Sequence, residues 1–268
     1  MKTICHDALQ SLKTDHYYRV PLTLEGDLIS DAVSAFFKFL TLDDELKQHI
    51  DFTIAPKHRR GDIGYRRREA SDSIYNDNKE FFHFHPAVFD KYSDFIEQHT
   101  VIQNFLSQAK VLWWIAYRAI HDIFGQFVTI NPNIIDRVFN CRYPHILLRF
   151  LKYDWQQSGQ YLAKPHYDAG ACTLAIAESC AGLRIGSDPY DLTPVEHCTD
   201  SAIFMLSSNF AKLISDTGYS AAWHDVIQLD KSKIGQPYAR WAIVAFVDAH
   251  DVTALPREET HKWFNDKV

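Results

Sequence analysis

His166-Tyr167-Asp168 sets two metal-binding side chains two residues apart. On a β-strand that spacing sends both to one face and Tyr167 to the other. His224, delivered from a later strand, would complete a set of two imidazoles and one carboxylate. Such a facial triad suits non-haem Fe(II) and leaves coordination positions open for a co-substrate and O2. Arg240, further along the chain, could hold a carboxylate in bidentate fashion.

The tripeptide alone is weak evidence, because a chain with 14 His offers decoys. His49-Ile50-Asp51 is one. It closes a segment that reads as a helix, where positions i and i+2 do not share a face. His49 is therefore expected to be an ordinary surface or partly buried histidine. His83-Phe84-His85 also has metal-like spacing but lacks a third ligand nearby. His166 has a different setting. Residues 145–153, 171–177, 182–186, 221–229 and 240–247 read as short strands punctuated by Gly, Pro, Asn and Asp. That pattern argues for an all-β sandwich or barrel.

The run from His166 to Leu174, HYDAGACTL, resembles the metal-binding strand of Fe(II)/2-oxoglutarate-dependent dioxygenases. The branch it looks most like contains isopenicillin N synthase and the plant hydroxylases. Residues 148–153 are similar to the strand preceding the metal site there, and residues 202–206 through 220–224 to the segment carrying the last iron ligand. In the N-terminal half, 35–40, 44–47, 64–65 and 77–82 match that branch in order. The likeness spans residues 18–250 and rests on several ordered motifs rather than one pattern.

The resemblance implies a mostly β fold with α: a double-stranded β-helix (jelly-roll) core over 141–250, with an N-terminal helical and mixed region over 1–140, in a single domain of 1–268. It implies that His166, Asp168 and His224 ligate Fe(II), that Arg240 anchors the far carboxylate of 2-oxoglutarate, and that Tyr153 lies near the bound co-substrate or substrate. The implied activity uses O2 to couple oxidative decarboxylation of 2-oxoglutarate to hydroxylation, desaturation or cyclisation of a small molecule. Related halogenases replace the carboxylate ligand with a small residue, so Asp168 argues against halogenation. One departure stands out: the family's Arg-x-Ser is Arg240-Trp241-Ala242 here. Ala242 has no hydroxyl to share the carboxylate. Two other readings follow: an Fe(II)/O2 oxidase of the isopenicillin N synthase type that does not use 2-oxoglutarate, and a non-catalytic metal-binding protein.

At 268 residues and 46% hydrophobic, the chain can bury a full core. A net charge of −6 argues against non-specific nucleic-acid binding, which needs a basic surface. Five Cys form no C-x-x-C pair, so neither a disulfide framework nor a thiolate zinc site is indicated. Reduced thiols in a cytoplasm are the simple expectation. The first ten residues do not read as a secretory signal, and no apolar run is long enough to span a membrane.

The elements that must position the triad follow from periodicity. Residues 17–24 read as a short strand leading into an amphipathic helix over 27–40, and Thr41 to Asp44 as a capping box opening the next helix. Residues 54–80 are expected to be loop. One long helix is expected over 88–124, with Ile102, Phe105, Leu106, Ala109, Leu112, Trp113, Ala116, Ile120 and Ile123 as its apolar stripe and Gly125 as its stop. The stripe needs a sheet to cover.

Residues 57–68 form a basic island in an acidic protein. The plain expectation is a solvated loop. The sharper one is a lid, with Arg66 among its cations, that recruits an anionic substrate. Arg149, on the strand before the metal site, is a candidate partner for a substrate carboxylate and equally for a structural ion pair.

Overall fold

The computed structural model describes residues 4–22, 24, 27–54, 62–69, 77–155, 161–196, 198–214, 218–229 and 234–252. Its helices are α1 (Ile4–Thr14), α2 (Leu28–Leu40), α3 (Asp44–Gln48), α4 (Ala87–Gln98), α5 (Thr100–Gln126) and α6 (Ile134–Phe139). The first six strands are β1 (Tyr17–Pro21), β2 (Phe52–Thr53), β3 (Asp62–Arg68), β4 (Lys79–Phe84), β5 (Ile146–Tyr153) and β6 (Tyr161–His166). They are followed by β7 (Cys172–Glu178), β8 (Leu183–Gly186), β9 (Leu192–Pro194), β10 (Ser201–Leu206), β11 (Trp223–Ile227) and β12 (Arg240–Val247).

The strands form two sheets. The larger runs β1-β10-β7-β12-β5-β4-β3-β2 and the smaller β6-β11-β8-β9. From β5 onward the chain alternates between the two sheets, with one exception, the β8–β9 hairpin within the small sheet. The N-terminal region supplies both flanks of the large sheet: β1 pairs with β10, and β4 pairs with β5.

Period-two alternation explains why the large sheet separates two apolar layers. On β5, Ile146, Leu148 and Phe150 face the helices, whereas Leu151 and Tyr153 face the small sheet. The outer layer is capped by α2 and α5. Every residue of the expected α5 stripe is buried, and the Trp113 indole N–H donates to the Ile146 carbonyl at 2.7 Å, fixing the helix on β5. The inner layer, between the sheets, contains Phe81, Leu151, Tyr153, Leu162, Ile185 and Val226.

The expected long helix does pack on the sheet as α5, but it starts at Thr100 rather than 88; the stretch before it is a separate helix, α4. His99 leaves helical geometry at φ −124° and ψ 89°, and Tyr92 departs from it inside α4. Ile96 and Ile102, both buried, are out of phase with one 3.6-residue repeat, so a single straight helix could not bury both. Gly125 does not stop α5, which continues to Gln126 and into a tighter turn over Phe127–Thr129. Burial of Phe124 and Phe127 on either side holds that turn in place.

The expected loop over 54–80 contains β3 and the start of β4. Of the basic island, residues 57–61 lie outside the described residues, and the rest is strand. The arginines of that strand are neutralised locally: Arg66 pairs with Asp51, Arg67 with Glu69, and Arg68 with Asp77. Local neutralisation lets a cationic run sit within a sheet. The expected capping box over Thr41 to Asp44 does not form: Thr41 closes α2, and Asp43 precedes α3 without a side-chain capping bond among the described residues. The helix α1 had no counterpart in the sequence reading. Among the described residues no helix is long and apolar enough to cross a membrane.

Candidate metal centre

His166 ends β6 and His224 is the second residue of β11. The strands are antiparallel, and these two residues stand directly opposite each other. Cross-strand partners have closely spaced Cβ atoms on one face, and here the ring centroids are 4.3 Å apart. Tyr167 and Trp223, their chain neighbours, meet edge to face at 4.9 Å.

Asp168 lies just beyond β6, so its aim is set by the turn rather than by strand alternation. Its backbone carbonyl accepts from the Ser208 N–H at 2.9 Å. Its carboxylate Oδ2 accepts from the Thr173 hydroxyl at 2.6 Å and lies 3.7 Å from His224 Nε2. Gly170 in this turn lies against β12. A Cβ there would come within 2.4 Å of the Val247 carbonyl oxygen. Side-chain ligand atoms of His166, Asp168 and His224 all lie within 4.8 Å of one another. Among the described residues no other group of three His, Cys, Asp or Glu side chains gathers in this way.

The hydrogen bonds fix the tautomers. His166 Nδ1 meets the Lys164 carbonyl at 2.7 Å, and His224 Nδ1 meets the Ala222 carbonyl at 3.1 Å. A carbonyl only accepts, so Nδ1 bears a proton in both rings, and Nε2 is the nitrogen left to ligate. Burial, with the nearby His224, pushes His166 down to about 3. The imidazole is thus neutral and ready to ligate. Second hydrogen bonds of this kind orient metal ligands. Two imidazoles held through Nδ1 and one oriented carboxylate fit Fe(II).

The other expected residues lie on the inner face of the large sheet. Arg240 opens β12 opposite Tyr153 on β5. Its guanidinium is buried and forms a close ion pair with Glu178, the last residue of β7. Burial pushes the Tyr153 phenol up to about 12; Asp77 acts in the same direction, and Arg240, Arg149 and Arg68 oppose it. Arg149 donates from Nε to His83 Nε2 at 2.7 Å and lies over the rings of Phe81 and Phe246. Arg66 is three strands from β12, held by the Asp51 carboxylate and its neighbour's carbonyl, Tyr65 O. The structure brings it to the same sheet face as Arg149 but not to the triad.

The decoys resolve as structural. His49 is exposed and stacks on Phe95 at 3.9 Å. His83 Nδ1 donates to the Asp62 carbonyl, and His85 bonds the Pro144 carbonyl and the Ala87 N–H. Three residues of the site went unread in the sequence. Thr173 was within the quoted motif, but its contact with Asp168 depends on the turn. Lys79 is buried beside Asp77 at 2.6 Å, sits 5.5 Å from the Tyr153 ring centroid, and its charge reaches His166. Burial pushes its ammonium down to about 8. Glu178 carried no local signal.

No protein-family model matches the sequence, and no curated protein does. Solved structures do match. The dioxygenase for auxin oxidation 1 from Arabidopsis thaliana, a binary complex with 2-oxoglutarate, aligns with TM-score 0.68 at 14% identity, covering 97% of this chain and 93% of that one. A full-length Neurospora crassa protein in complex with alpha-KG aligns with TM-score 0.65 at 19% identity, covering 92% and 79%. The rice dioxygenase for auxin oxidation aligns with TM-score 0.64 at 17% identity, covering 95% and 82%. At such identities the likeness is one of fold. Two sheets packed over a shared apolar layer, with a His–Asp–His cluster carried by β6, β11 and the turn after β6, thus give this chain the double-stranded β-helix fold of the Fe(II)/2-oxoglutarate oxygenases.

Proposed function

We propose that this chain is a non-haem Fe(II)- and 2-oxoglutarate-dependent oxygenase that hydroxylates, desaturates or cyclises a small molecule. The observation that carries the reading is the paired orientation of His166 and His224. Each Nδ1 is committed to a carbonyl and each Nε2 is turned toward the Asp168 carboxylate. Bound by these three side chains, Fe(II) would supply O2 activation coupled to decarboxylation of 2-oxoglutarate.

The chain's own residues perform the rest. Thr173 holds the Asp168 carboxylate in its ligating orientation. Lys164 and Ala222 hold the rings through their carbonyls. Arg240, enclosed between the sheets, receives the far carboxylate of the co-substrate, with Tyr153 beside it. The inner apolar layer keeps the site dry, which strengthens each charged contact.

The substrate is small, and an anionic group suits it. Lys79 and Arg149 stand on the inner face with Tyr153, and Arg68 acts on the same phenol. A cationic lining, buried at Lys79 and half-buried at Arg68 and Arg149, favours a carboxylate or phosphate on the substrate. The Neurospora crassa protein is known in complexes with thymine and 5-formyluracil, so this fold admits ligands of that size. Arg66, engaged by Asp51, serves the sheet edge in this reading.

Ala242 favours a second reading, an Fe(II)/O2 oxidase that does not consume 2-oxoglutarate. O2 uptake and succinate formation separate the two. The Fe(II)-loaded chain supplied with 2-oxoglutarate should form succinate in step with O2 consumed, even without its proper substrate. O2 uptake with no succinate under any substrate would select the second reading.

A further inference from the structure

Glu178 and Arg240 are buried to 4% and 3% side-chain exposure, and they meet through one contact, from Arg240 Nη2 to Glu178 Oε2. Nε and Nη1 of the guanidinium and Oε1 of the carboxylate have no hydrogen-bond partner among the described residues. A guanidinium offers a fork of donors that a carboxylate can meet with two parallel bonds. Here most of the fork is unused. The pair is under-satisfied for two charges held out of water.

The two partners differ in freedom. Arg240 is fixed at its root, where it opens β12 opposite Tyr153; a Cβ on Gly182 would lie 2.9 Å from its Nη1, so the glycine leaves that flank of the guanidinium room. Glu178 is the last residue of β7, and Ser179, Cys180 and Ala181 beyond it are exposed. Glu178 thus sits at the rim of β7, where its side-chain bonds have other staggered positions to turn to. Ala242 stands opposite Glu178 in the register and offers no hydroxyl to replace it.

We propose that Glu178 is a resident competitor for the co-substrate's carboxylate. This rests on the reading of Arg240 as the 2-oxoglutarate anchor. In the free chain Glu178 occupies the anchor. An incoming dicarboxylate displaces it, meets the unused guanidinium donors and releases Glu178 to water. Glu178 thereby sets the 2-oxoglutarate concentration at which the site fills, and it weakens selection for the far carboxylate. A charge-assisted hydrogen bond is strong enough for its loss to shift affinity about tenfold or more.

The test uses the Fe(II)-loaded chain without O2, titrated by calorimetry with 2-oxoglutarate and with 2-oxopentanoate, which has a methyl group in place of the far carboxylate. Wild type should prefer 2-oxoglutarate by less than about tenfold. Glu178→Gln should bind 2-oxoglutarate about tenfold tighter, leave 2-oxopentanoate unchanged, and so widen the preference by the same factor. If Glu178→Gln binds 2-oxoglutarate no better than wild type, Glu178 positions Arg240 rather than competing for it, and the proposal is overturned. A wild-type preference of about a thousandfold would overturn it without any variant, since the far carboxylate would then meet no resistance from Glu178. Binding of Fe(II) but of neither ligand by either protein would overturn the co-substrate reading itself.

Discussion

His166 and His224 face each other across one antiparallel pairing, with ring centroids 4.3 Å apart and both Nδ1 atoms turned back to main-chain carbonyls. The site is therefore organised before any ion arrives. Each ring is held by nearby main chain: His166 bonds the carbonyl two residues upstream in β6, and His224 the carbonyl two residues upstream, just before β11. Side chains on paired strands keep their spacing without help from loops.

Thr173 tests how much the supporting contact matters. Its hydroxyl is buried and donates to the Asp168 carboxylate. Thr173→Val keeps the shape and removes the donor. Fe(II) affinity should fall about 10- to 100-fold, the usual range for contacts that orient metal ligands. Equilibrium dialysis of the folded variant measures it. An affinity equal to wild type would mean that the turn alone aims Asp168.

Much of this site was legible because its signals are local. A His-x-Asp at a strand end, a later His in an apolar strand and an Arg opening the next strand can be read from types and order. What the sequence concealed depends on register. Glu178 meets Arg240 only because β7 and β12 pair with a shift between Ile243 and Val244, and nothing local marks that bulge. Lys79 reaches the inner layer only because β4 adds to β5, bringing Lys79 opposite Tyr153. The break at His99 was hidden for a similar reason. Both halves of the helical stretch are amphipathic, and only the packing shows that their apolar faces point different ways.

Arg149 and Arg66 separate substrate binding from sheet stabilisation. Arg149→Gln removes a cation from the inner face and should raise the substrate KM about tenfold or more, in line with loss of a charge-assisted contact. Arg66→Gln, which unpairs Asp51, should leave KM within about twofold. Steady-state kinetics on any substrate found for the chain decides between them. A reversed order of effects would place the basic strand at the substrate and return Arg149 to a structural role.

His85 gives the fold a pH dependence of known sign. Burial pushes it from 6.5 down to about 4. As pH falls, the unfolded chain takes up this proton first. The stability contributed is therefore complete above about pH 6.5 and is lost as pH drops toward 4, by up to about 3 kcal/mol. Urea unfolding across that window should show the slope in wild type. It should be reduced in His85→Gln, which would also be less stable at neutral pH for want of the bonds to Pro144 and Ala87. Parallel pH profiles for the two proteins would assign the slope to other groups.

The most direct test of the account is metal stoichiometry. Metal-free protein titrated anaerobically with Fe(II) should bind one ion per chain. His166→Ala, Asp168→Ala and His224→Ala should each weaken that binding by about 100-fold or more while the chain stays folded. Undiminished binding of one ion by all three variants would mean that these side chains do not share a metal, and the proposed chemistry would have no centre.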